Sequence, residues 1–149
     1  MTSQMNSIMQ KSDEEYNILI QFRKNYPDFP SGKLIKTESP DFIVKVNTKE
    51  SVGIELTKWH NPTIKHTPRN ASIPFNKETL DAIIRKKEEK IPLYKKNRIS
   101  NLWLIITSEN LHQQANFHIH NQIEKWICKS DFQHIFIFDM NDKKVYTLN

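Results

Sequence analysis

Two hydrophobic periods alternate along this chain, and the switches between them mark its elements. Residues 41–47 (DFIVKVN) and 51–57 (SVGIELT) are β-prone and read as the arms of a hairpin joined by Thr48-Lys49-Glu50. Ahead of them, residues 12–24 predict a first helix, with Ser12 as N-cap, Asp13, Glu14 and Glu15 in its first turn and Pro27 beyond its end. Leu19, Phe22 and Tyr26 form its apolar face, and Glu15 stands at the N-terminal end of that stripe. Residues 33–37 read as a short strand, and the polar residues 1–10 are expected to fray. The stretch 58–75 has three prolines and no helical period, so it is expected to be a long loop.

Helical spacing returns over 77–91, extending towards 96, with Asn76 as N-cap and Pro92 expected to kink or end the helix. Residues 101–107 (NLWLIIT) are a continuous apolar run, the pattern of a strand buried on both faces. Residues 110–128 predict a third helix with Ala115, Ile119, Ile123, Trp126 and Ile127 towards the core. Residues 133–138 form a further strand, Asp139 to Asp142 turn the chain, and 143–148 are expected at a sheet edge, where they leave a homodimer open. The order α-β-β-β-α-β-α-β-β predicts one α/β domain over 1–149, with a mixed sheet flanked by helices.

The hairpin carries the first chemical signal. Pairing its arms around Lys49 sets Asp41 opposite Thr57 and Ile43 opposite Glu55. Side chains alternate along a strand, so Asp41, Glu55 and Thr57 share one face. Two carboxylates converging there repel unless a cation lies between them, and hard oxygen ligands suit Mg²⁺ or Mn²⁺.

The second helix carries the other signal. At 100° per residue Leu80, Ile83, Ile84, Ile91 and Tyr94 fall in one stripe, with Lys87 at its middle and Lys90 at its edge. A lysine centred on an apolar face either reaches out along its aliphatic stem or meets a negative partner, and Asp41 and Glu55 are the candidates.

Composition narrows the function classes. The chain of 149 residues, 37% hydrophobic and 26% charged, has the make-up of an ordinary globular domain. No apolar run approaches the ~20 residues of a membrane span, and MTSQMNSIMQKSDEE lacks a basic segment followed by an apolar one, so a cytoplasmic address is expected. A single cysteine, Cys128, excludes an internal disulfide and a cysteine-based zinc cluster. The net charge of +5 favours an anionic partner. Basic residues concentrate in 85–98 and in 58–70, where Lys58, His60, Lys65, His66 and Arg69 are candidate phosphate contacts. Trp59 either stacks on a base or closes the core. His118 and His120, two apart on a helix, point away from each other and cannot share a metal. Gly32 and Gly53 stand alone, so there is no glycine-rich phosphate loop.

Pro40-Asp41, then Glu55-Leu56-Thr57, then Ile83-x₃-Lys87-x₂-Lys90-x₃-Tyr94 resemble the PD-(D/E)XK, or restriction-endonuclease-like, nuclease superfamily. That superfamily has an α-β-β-β-α-β core, so the resemblance covers Ser12 to Thr107, about two-thirds of the chain. It implies a metal held by Asp41, Glu55, the Leu56 carbonyl and Glu15, with Glu14 in reserve. Lys90-x₃-Tyr94 is similar to the Gln-x₃-Tyr element of the recombination and exonuclease branch, and it adds Tyr94 to the nucleic-acid contacts. Thr57 stands where the family has its lysine, so the resemblance implies that Lys87 or Lys90 supplies the missing cation beside Asp41, Glu55 and Thr57. The expected activity is Mg²⁺- or Mn²⁺-dependent phosphodiester hydrolysis, on DNA in preference to RNA. The alternative is a catalytically inactive relative that binds nucleic acid or a protein partner.

Overall fold

The computed structural model describes residues 3–60, 76–109, 122–123, 125–126 and 128–149, with side chains from residue 11 onwards. Helix α1 (Ser3–Asn25) leads into strands β1 (Lys33–Lys36), β2 (Phe42–Lys45) and β3 (Ser51–Lys58). Helix α2 (Lys77–Glu88), the single-turn helix α3 (Ile91–Tyr94) and a 3₁₀ turn (Lys95–Asn97) connect to β4 (Asn101–Ser108). Strands β5 (His134–Asp139) and β6 (Lys144–Thr147) complete a six-stranded sheet in the order β1-β2-β3-β4-β5-β6. The first three strands run antiparallel, β3-β4-β5 run parallel, and β6 returns antiparallel to β5.

The sheet separates two cores. On one face, Leu19 and Phe22 of α1 pack on Phe42, Val44, Ile54, Ile105, Phe136 and Phe138. On the other, Leu80, Ile83, Ile84, Ile91 and Tyr94 cover Leu102, Leu104, Ile106, Ile135 and Ile137. The continuous apolar run of β4 follows from burial on both faces, because alternate residues enter alternate cores. No described helix is long and apolar enough to cross a membrane.

Three boundaries differ from the sequence expectation. Helix α1 starts at Ser3, so Ser12 lies inside it and residues 3–10 are helical rather than frayed. Met, Gln and Ile in that stretch propagate a helix without needing a cap at Ser12. Helix α2 ends at Glu88, and Pro92 opens α3 instead of kinking a longer helix, since its missing N–H costs nothing in a first turn. Of the expected third helix only 122, 123 and 125 are described as helical, with the Trp126 N–H closing on the Ile123 carbonyl at 3.0 Å; Ala115, Ile119 and Ile127 lie outside the described residues, as do His112, His118 and His120.

The hairpin register is also corrected. Phe42 pairs with Ile54 and Ile43 with Gly53, so Glu55 is no longer opposite Ile43, nor Thr57 opposite Asp41. The Asn47 Oδ1 accepts the N–H groups of both Lys49 and Glu50 at 2.8 Å, which centres the turn on Thr48. The slip is two residues, an even number, so each side chain keeps its face.

Candidate active site

The site forms where β2 begins and β3 runs past it. Position 40 is the ladder partner of Leu56 if the β2–β3 register is continued, and proline there has no N–H to offer. The Leu56 N–H bonds instead to the Asp41 Oδ2 at 2.8 Å. A strand residue projects its N–H and C=O to the same side, so the Leu56 carbonyl is also directed towards Asp41. Gly53 makes the approach feasible: a Cβ there would lie 2.9 Å from the Pro40 ring and 2.8 Å from Ile99.

Asp41 and Glu55 stand within hydrogen-bond reach of each other. Glu55 is buried at 5% exposure. Its Oε2 lies 3.3 Å from the Lys87 ammonium and accepts a short hydrogen bond from the Tyr94 hydroxyl. Burial raises the Asp41 carboxyl to about 8, helped by the hydrogen bond and repulsion from Glu55 and by the Glu15 charge, against the Leu56 N–H that lowers it. Burial also pushes Glu55 upward, but hydrogen bonds from Asp41 and Tyr94 and the Lys87 charge outweigh it, so Glu55 is lowered. The pair therefore titrates as a unit and holds one proton near neutrality. Burial and the Glu55 carboxylate raise the Tyr94 hydroxyl, which stays a donor.

A cleft of about 510 Å³ opens over the dyad. Glu15, Thr57, Lys58, Lys87 and Lys90 line it beside Asp41, Glu55 and Leu56. It lies at the carboxyl ends of β3 and β4, the usual position of ligand crevices in sheets with parallel strands. Glu15 reaches it from α1 and pairs with Lys36 at 2.9 Å. Thr57 is half-buried on the Glu55 face, and Lys90 is exposed at the rim. Lys58, next to Thr57 and so on the opposite face of a regular strand, still reaches the cleft because it ends its strand.

Other expected contacts are arranged differently. Tyr94 is fully buried with its hydroxyl committed to Glu55, which makes it a positioning residue and leaves no ring surface for nucleic acid. Trp59 is 7% exposed within the core, which favours the core-closing role weighed for it. The His60 Nδ1 lies 2.7 Å from the Lys58 carbonyl. Lys65, His66 and Arg69 lie outside the described residues. Lys36 was missed by sequence reading; its ammonium contacts the carbonyls of Thr37 and Asp41 at 2.8 and 3.2 Å. No periodicity marks a lysine closing a four-residue strand.

Among the described residues no group of three or more His, Cys, Asp or Glu side chains is placed to hold a metal. Two carboxylates do converge, with a backbone carbonyl directed towards them. That donor set fits Mg²⁺ or Mn²⁺, since Mg²⁺ commonly takes one or two carboxylates and keeps several waters. Compared with known proteins, the chain matches no family model, no curated protein and no solved structure.

Proposed function

We propose that this protein is a metal-dependent nuclease with a restriction-endonuclease-like core, hydrolysing phosphodiester bonds of nucleic acid, DNA in preference to RNA. The observation that carries the reading is the Asp41–Glu55 pair with Lys87 3.3 Å from Glu55, in one open cleft. The element order from α1 to β4 agrees with the superfamily's core.

Asp41, Glu55 and the Leu56 carbonyl would hold Mg²⁺ or Mn²⁺, with Glu15 on the cleft wall as the further carboxylate. When bound, the ion polarises the phosphate and lowers the pKa of a coordinated water. Lys87 takes the place of the lysine that Thr57 does not supply: its ammonium reaches the carboxylates from the helix instead of from the strand. From there it stabilises charge developing on the phosphate. Tyr94 fixes the Glu55 rotamer. Lys58 and Lys90 at the rim attract the backbone phosphates.

The test is cleavage of single- and double-stranded DNA and RNA with Mg²⁺, Mn²⁺ or EDTA. Metal-dependent cleavage is expected, falling at least ~10³-fold in Asp41→Ala and in Glu55→Ala. A folded wild type that cuts none of these substrates overturns the proposal. Salt-dependent binding without cleavage would assign the chain to the alternative, a non-catalytic nucleic-acid binder.

A further inference from the structure

We propose a second phosphate-binding groove, separate from the cleft, that takes the continuation of a nucleic-acid backbone lying over Asp41 and Glu55; it rests on the nuclease reading above. The groove, of about 580 Å³, lies between the tip of the β2–β3 hairpin and the 3₁₀ turn. Lys45, Lys49 and Arg98 line it with Asn47 and Asn97, against a single acid, Glu50. None of the three cations is ion-paired among the described residues, so all three charges are available to a ligand.

Two observations argue that the groove is built and not a chance run of charge. Its walls are joined by hydrogen bonds: the Ser100 N–H donates to the Ser51 carbonyl at 3.0 Å, and the Ser51 hydroxyl donates to the Arg98 carbonyl at 3.0 Å. The Asn97 amide donates to the Ser39 carbonyl at 2.6 Å, which ties the same wall to the turn before Asp41. The second observation is Arg98 itself. It caps the 3₁₀ turn at φ 55°, a left-handed conformation that glycine adopts freely and arginine does not. An arginine in a conformation that glycine adopts more easily points to a use for its guanidinium.

Geometry selects the ligand. Asp41, Ile43 and Lys45 fall on one face along β2, so Lys45, the first cation of the groove, stands about 13 Å from Asp41 at ~3.3 Å per residue. A nucleic-acid strand advances ~3.4 Å per nucleotide along a duplex axis, so a strand in the cleft meets Lys45 roughly four nucleotides on. The groove supplies charge and amides at that distance.

The experiment is anisotropy of a labelled DNA duplex of ~20 base pairs with the full chain in EDTA, across ~50 to ~200 mM salt. Wild type is compared with Lys45→Gln/Lys49→Gln and with Arg98→Gly. The double variant is expected to bind ~10-fold more weakly at the lowest salt, with its log–log salt slope reduced by about 2. Arg98→Gly is expected to lose about 1 in slope while melting no lower than wild type, which separates the guanidinium from any folding role. Unchanged affinity and slope in both variants, with wild-type binding and metal-dependent cleavage intact, overturn the groove and leave the nuclease reading standing. A wild type that neither binds nor cuts overturns both.

Discussion

The two faces of the sheet are buried alike and furnished differently. Beneath α1 the contacts are apolar and largely aromatic: Phe22 meets Phe136 and Phe138 edge-on at 5.1 and 5.6 Å. Beneath α2, Glu55, Lys87 and the Tyr94 hydroxyl sit among leucines and isoleucines. Burying a charge costs several kcal/mol before its partners restore any of it, and apolar side chains of similar volume are often as stable or more so. The first face shows that this chain can fill a core without ions. The polar cluster on the second is therefore poorly explained by stability, and function explains it better.

The largest expected effect breaks the apolar face alone. Phe22→Ala removes a fully buried ring and should lower stability by ~3–5 kcal/mol, read by urea denaturation. Because Phe22 lies in the apolar cluster on the face of the sheet away from Glu55 and Lys87, cleavage per folded molecule should persist at low temperature. Loss of cleavage in a demonstrably folded Phe22→Ala protein would show that the faces are not separable.

The converse change spares packing and removes charge. Lys87→Met keeps an aliphatic stem over the core and deletes the ammonium 3.3 Å from Glu55. Cleavage should fall ~10²-fold, about 2.7 kcal/mol of transition-state stabilisation, with a smaller effect on melting. An unchanged rate would exclude Lys87 from the chemistry and direct attention to Lys90.

What could be read from the chain divides along the same line. The apolar run of β4, the α2 stripe and the lysine within it follow from local periodicity, and so does the shared face of Asp41 and Glu55. Register was less legible. The choice between turns depended on one Asn47 side chain capturing two N–H groups, a local hydrogen-bond competition with no periodic signature. Tyr94 falls in the apolar stripe of the helix, but the partner of its hydroxyl depended on where α2 stopped. That end falls at Glu88, so α3 presents the ring from a separate helical turn. Trp59 illustrates a further limit: a residue just past the end of its strand belongs to the core or to the surface, and only tertiary packing decides.

A pH series sharpens the comparison at the dyad. In metal-free protein the Asp41 carboxyl, raised to about 8, keeps its proton while the unfolded chain releases it near the ordinary carboxylate value. The native state then binds more protons than the unfolded state between those values, so stability falls as pH rises through that window and levels off above about 8. Glu55 is lowered and acts in the opposite sense, adding stability as pH rises through the acid range below its unfolded value. Allowing for partial solvent contact, the Asp41 loss from pH ~5 to pH ~8 should be roughly 2 kcal/mol. Asp41→Asn should abolish that slope, and Mg²⁺ should reduce it in the wild type by displacing the proton. A slope that persists in Asp41→Asn would place the proton elsewhere.

The smallest effect concerns the helix that carries Lys87. Asn76 caps α2, its Oδ1 accepting the Thr79 N–H at 2.8 Å. Asn76→Ala should cost about 1 kcal/mol, since one buried donor of the first turn loses its partner. Lys87 lies at the far end of α2, where the ion pair with Glu55 and the Tyr94–Glu55 bond hold it independently of the cap. Fraying at the N-terminus should therefore lower the melting temperature by a few degrees and leave the cleavage rate of the folded protein unchanged. A rate that falls along with the cap would mean that the ammonium is positioned by the whole length of α2, and that the polar face is held by its helix more than by its own hydrogen bonds.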